Sequence, residues 1–271
     1  MTVRRAVVAG QFYPRDPHAL NAQVDAYLRA PAKVEPEPSP DLWALVVPHA
    51  GYVYSGPTAG VGYRLLPPLA DRLRRVVLLG PAHFVPLLGI EISASDGWAT
   101  PLGQVSVDAA ARAWLVERAT PGPVPVTVAD TAHAPEHCLE VQLPFLQATL
   151  PEVAVLPVLV GESKPDAVAD LLTPWWGAAD TLLLVSTDLS HYEPAWSAEQ
   201  HDERTCTAIE RADAEAIGDH DACGARPLRA LLRLARRSNA RVRRLDRRTS
   251  ADTAGSPHRV VGYGAFAVEP A

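Results

Sequence analysis

At 271 residues, with 48% apolar and 21% charged side chains, the chain has the make-up of a folded globular protein and not of a disordered one. A net charge of −6 gives no general pull toward nucleic acid, and no run approaches the ~18 apolar residues of a membrane helix. Cys138, Cys206 and Cys223 cannot all pair and none sits in a CxxC, which argues against a disulfide framework and leaves at least one thiol free.

The Met1–Arg5 start has no secretory apolar core behind it, so the expectation is a cytoplasmic protein with no membrane partner. Asp16-Pro17 caps and opens a helix to about Arg29, with Leu20, Val24, Tyr27 and Leu28 inward. Pro31–Pro40, rich in proline and glutamate, reads as an exposed connector within one domain spanning 1–271. Leu42–Val47 is a short buried strand stopped by Pro48, and Pro57 opens a helix through Leu66. Val76–Leu79 is a second buried strand, Ile90–Ser93 a weaker one, Asp108–Arg118 a helix and Val124–Val128 a strand.

Glu140–Leu150 then reads as a helix, Val153–Val160 as a strand, Asp166–Trp176 as a helix and Thr181–Val185 as another core strand. Ser197 to about Ile217 predicts a long helix and Pro227–Ser238 a further one, before strands near Val242–Leu245 and at Val260–Val268. The nine arginines of Arg229–Arg248 alternate with leucines at helical spacing, which favours a solvated amphipathic face over a nucleic-acid patch. Strands alternating with helices predict a three-layer α/β/α domain around a mixed, mostly parallel sheet.

Three core strands each deliver a histidine just past their carboxyl ends, where open α/β sheets bind ligands: His49, His83 and His191. Neutral imidazoles suit Zn, Fe or Cu, and two of them with one anion make a common open metal site. Cys223 stands just before a helix, where a thiol is expected to have a lowered pKa and to supply that anion. Asp188, three residues before His191, can orient a histidine or cap a turn. In Thr131–Glu140, His137 reads as a wall residue and His133 as merely exposed, while His18, His201, His220 and His258 read as surface residues.

In order and spacing, Pro48–Gly56, Leu79–His83, Glu136–Phe145, Pro157–Gly161, Ser186–Tyr192 and Cys223-Gly224 resemble the Memo family, the AmmeMemoRadiSam system protein B group. The resemblance covers nearly the whole chain and implies the fold of class III extradiol dioxygenases, with a cysteine where those enzymes have a glutamate ligand. It implies His49, His83 and Cys223 as metal ligands and His191 with Asp188 as catalytic groups. His137, Tyr54 and Glu140 follow as substrate contacts. Fe(II) is the first expectation for the metal, Cu the second and Zn the third.

The function so implied is a metal-dependent oxidoreductase acting on a small molecule. A non-catalytic module binding metal or peptide in the same pocket, and a zinc hydrolase, remain open alternatives. A eukaryotic relative binds a receptor phosphopeptide, a role not carried to this chain. Nothing in the sequence sets an oligomeric state.

Overall fold

The computed structural model describes residues 2–31, 37, 39–119 and 122–271, so the middle of the Pro31–Pro40 connector lies outside the described residues. In chain order the elements are β1 (Val3–Arg4), α1 (Pro17–Arg29), β2 (Ala44–Val47), α2 (Tyr52–Tyr63), β3 (Arg75–Pro81), β4 (Ile90–Ile92), β5 (Gly97–Thr100) and β6 (Gly103–Ser106). Then come α3 (Ala109–Ala119), β7 (Val126–Val128), α4 (Leu143–Thr149), β8 (Ala154–Val160), α5 (Pro165–Leu172), β9 (Thr181–Ser186) and β10 (His191–Glu193). The chain ends with α6 (Ala195–Glu210), α7 (Ala225–Arg237), β11 (Arg241–Thr249) and β12 (Val260–Glu269).

Among the described residues, nine strands form one mixed sheet in the order β10-β12-β2-β9-β3-β8-β4-β7, with β11 paired to β12. Its centre, β2-β9-β3-β8, is parallel throughout, because each of these strands is buried along nearly its whole length and returns by a helical crossover. Antiparallel contacts flank it: β12 on β2, and β4 on β8. A small second sheet joins β1, β5 and β6.

Alternate residues of the central strands face opposite layers. Ala44, Val46, Val77, Leu79, Leu183 and Val185 pack with α3, α5, α6 and α7, whereas Leu45, Val47, Val76, Leu78, Leu182 and Leu184 pack with α1, α2 and α4. The crossover through α2 runs from β2 past β9 to β3, and that through α5 returns from β8 past β3 to β9. Opposite directions of travel with one handedness put these two helices on opposite faces.

Four boundaries differ from expectation for identifiable reasons. Pro57 lies inside α2 rather than at its start, and the carbonyl its missing N–H would have bonded belongs to the exposed Val53. The segment expected as one helix from Glu140 begins as a 3-10 turn, Glu140–Gln142, and becomes α-helical only at Leu143, with Pro144 in its first turn. Helix α6 stops at Glu210, and Ala212 with φ +50° turns the chain away. Strand β11 extends to Thr249 because its arginines find acids, including Arg243–Glu269, Arg244–Glu203 and Arg248–Asp246. Among the described residues no helix is long and apolar enough to cross a membrane.

Candidate metal centre

Because β9 lies between β2 and β3 and all three run parallel, the loops that leave them meet over one edge of the sheet. His49, second past β2, is buried, and its backbone N–H donates to Asp188 Oδ1 at 2.7 Å. Its ring nitrogen Nδ1 lies 2.9 Å from Ser186 Oγ. That hydroxyl gives its one hydrogen to the Cys138 carbonyl at 2.7 Å and accepts from Gln142 Nε2 at 2.7 Å. It can therefore only accept from His49, so the proton sits on Nδ1 and the Nε2 lone pair is free. Burial first, then the neighbouring His83 and His137, hold the His49 pKa well below the ordinary histidine value. The ring is neutral, the form a metal requires.

His83 is held the same way by a different group. Glu136, 1% exposed, takes the His83 backbone N–H on Oε2 at 2.6 Å. On Oε1 it takes His83 Nδ1 at 2.9 Å and the backbone N–H groups of His137 at 2.9 Å and Cys138 at 3.0 Å. Burial pushes the carboxyl up, but its bonds with His137 and His83 outweigh that and hold it well below the usual carboxylate range. An ionised carboxylate accepts only, so His83 Nδ1 carries hydrogen and Nε2 is free. A carboxylate behind a histidine is the arrangement that orients metal-ligating imidazoles and raises their basicity.

Cys223 arrives from the loop before α7. The Asp188 N–H reaches its Sγ at 3.3 Å, and the Gly224 N–H donates to Thr187 Oγ1 at 2.8 Å. A side chain at 224 would put its Cβ 2.6 Å from Thr187 Cβ, so this approach requires glycine. The thiol is not the ready thiolate expected of a helix start. Burial, then the Asp188 charge, push it up to about 12 despite hydrogen bonds from the peptide groups of Asp188 and Gly224. A metal taking Sγ must displace that proton.

Cys223 Sγ stands 3.1 Å from His49 Nε2, and the ligand atoms of His49, His83 and Cys223 all lie within 4.8 Å of one another. Two free imidazole nitrogens and one thiol, each aimed inward by groups behind it, fit a transition metal that accepts N and S donors. His83, Glu136 and His137 also cluster, but Glu136 already receives four N–H groups and serves as support.

The three residues open on a cavity of about 770 Å³ that Tyr54, His137, Asp188 and His191 also line. His137 stacks on His83 with ring centroids 4.9 Å apart. Burial pushes the Asp188 carboxyl above the ordinary aspartate range. His191 opens β10, where Gly262 exchanges backbone hydrogen bonds with Leu189 and Ser190, each 2.8 Å. Asp202 accepts the Ser190 N–H at 3.0 Å, and a Cβ at Gly262 would meet Asp202 Oδ2 at 1.9 Å.

Glu140, expected as a substrate contact, is not among the cavity-lining residues. It is fully buried and accepts from Arg4 Nη1 at 2.7 Å, Tyr13 Oη at 2.7 Å and the Val7 and Val8 N–H groups, pinning the N-terminal segment. His133, expected exposed, is also buried, with Nε2 3.0 Å from the Glu91 carbonyl and its ring edge-on to Trp98. His201, read as a surface residue, bridges Glu193 at 2.6 Å and Asp221 at 2.7 Å, and His220 lines the cavity. The roles of Glu136, Ser186 and Gln142 were not foreseen. All three were flagged only by their places inside the motif segments Glu136–Phe145 and Ser186–Tyr192.

A mixed α/β protein with two histidines and a cysteine converging at parallel strand ends is the class that fold and site define. Residues 4–267 match the family model described as Memo-like protein. A MEMO1 family protein of Aquifex aeolicus (strain VF5) is 36% identical over 221 residues, 80% of this chain and 78% of its own. One from Sulfolobus acidocaldarius is 32% identical over 283 residues, 96% of this chain and 97% of its own. The chain belongs to the Memo family. The fold is shared with the crystal structure of the uncharacterized protein JW3007 from Escherichia coli K12, with a TM-score of 0.52, 15% identity, and coverage of 82% of this chain and 99% of that one.

Proposed function

We propose that this protein is a non-haem metal-dependent oxidoreductase that uses Fe(II), or else Cu, to act on a small molecule in the cavity. The observation that carries this reading is the convergence of one ligand atom each from His49, His83 and Cys223 within 4.8 Å, each ring with its Nδ1 occupied. His49, His83 and Cys223 would hold the metal, which supplies a redox-active Lewis acid when bound. The protein's own part is positioning and proton handling. Ser186 and Glu136 fix the two rings, while His191, facing the cavity beside Asp188, is placed to take or give a proton at its ring nitrogens. Tyr54 and His137 offer flat faces to a substrate.

The same His2Cys set also suits zinc, so a zinc hydrolase is the second reading. Elemental analysis of anaerobically purified protein decides between them. The proposal expects iron or copper near one per chain, lost in Cys223→Ser, and oxygen consumption with a turned-over substrate. Zinc alone at full occupancy would favour the hydrolase, and no metal at all would overturn both.

A further inference from the structure

We propose that the substrate of this cavity carries a carboxylate, and that Arg259 binds it. Among the described lining residues Arg259 is the one arginine or lysine. Its guanidinium lies over the Tyr192 ring, 4.4 Å from the centroid, and among the described residues no acid stands within ion-pair distance of it. Arginines of α7 and β11 are instead engaged, among them Arg229, Arg233, Arg237, Arg243, Arg244 and Arg248. Lining acids do not compete for it: Asp219 is bound to Arg229 at 2.5 Å, and Asp188 accepts the His49 N–H.

Two further features fit the same end of the cavity. Tyr192 holds φ +63°, a left-handed backbone that is strained for a bulky residue and is found where structure serves a site. That backbone sits between His191 and the ring that backs Arg259. Ser256 Oγ accepts the His258 N–H at 3.4 Å and keeps its own hydrogen to donate. With Tyr54, Tyr263 and Phe12 as apolar walls, the arrangement suits a flat body ending in an anion.

A carboxylate fits better than a phosphate. One guanidinium fork matches one carboxylate in a bidentate pair, whereas among the described lining residues no second guanidinium or ammonium stands ready for the further charge of a phosphate dianion. This inference rests on the cavity being the substrate side of the proposed metal centre, and its test is therefore read without metal.

The probes are benzoate, benzamide and phenyl phosphate, titrated calorimetrically or by NMR into metal-free full-length protein. Benzoate is expected to bind about tenfold more tightly than benzamide, in keeping with a charge-assisted bond. Arg259→Ala should bring benzoate down to the benzamide level, Arg259→Lys should fall between, and both should melt as the parent does. Benzoate binding that is unchanged in Arg259→Ala, or phenyl phosphate bound more tightly than benzoate, would overturn the proposal. Metal content of the same preparations decides the metal centre separately.

Discussion

Glu136→Gln is the substitution that separates an orienting carboxylate from a merely buried one. The change is nearly isosteric and replaces an ion that receives four N–H groups. If the amide oxygen takes the place of Oε1, three of those bonds survive and the new NH2 faces the His83 backbone N–H, donor against donor. Leaving that buried N–H unmade costs about 1–3 kcal/mol. The surviving bonds lose their charge assistance, which roughly halves their strength and adds about 1 kcal/mol. A total near 2–4 kcal/mol lowers the melting temperature of a chain this size by roughly 5–15 °C. His83 also loses the anion that fixes its tautomer, so metal affinity should fall about 10–100-fold. Thermal melts of metal-free protein and chelator-competition titrations with zinc read the two effects independently. Unchanged melting together with unchanged metal affinity would refute the orienting role of Glu136.

Other outcomes follow from the same geometry. His133 is neutral in its buried place, with burial as the leading cause of a pKa lowered from 6.5 to about 4. The unfolded chain takes up a proton below 6.5 and the folded chain does not until about 4, so stability should fall between those values as pH drops, by roughly 3 kcal/mol at most, and be unaffected above 6.5. His133→Gln should flatten that part of the urea-denaturation profile, and an equally steep profile in the variant would assign the acid loss elsewhere. Glu140→Gln uncovers the buried Arg4 and should cost about 3–5 kcal/mol in denaturant titrations while folded protein keeps its metal. Loss of metal without loss of stability would return Glu140 to the site. Gly262→Ala drives a methyl into Asp202 and should cost about 1–3 kcal/mol, with the His191 ring resonances shifted in NMR spectra. Parent-like stability and spectra would show the contact to be slack.

The layers were legible because β2, β3, β8 and β9 are short continuous apolar runs, and such runs report burial directly. Element ends were less so. Pro57 within α2 and the positive φ of Ala212 after α6 depend on what surrounds them, not on local propensity. The strand-end rule found His49 and His83, and the thiol before α7 completed the set that the structure gathers. What orients that set was hidden, because Ser186 reaches His49 across 137 positions and Glu136 reaches His83 across 53. The chemistry of Cys223 was misread for a related reason. A helix start lowers a thiol pKa in an open setting, and only the fold reveals the burial and the nearby Asp188 that reverse it. Glu140 was expected at the site through its place in the Glu136–Phe145 motif, yet its side chain turns to Arg4 and Tyr13.

The central claim is that His49, His83 and Cys223 bind one metal together. X-ray absorption at the metal edge, on protein reconstituted anaerobically with Fe(II) and on Cys223→Ser prepared alike, tests it most directly. The parent should show a shell of imidazole nitrogens with one sulfur, and the variant should lose the sulfur shell. A bound metal with no sulfur neighbour in the parent, or an identical spectrum from the two proteins, would contradict it.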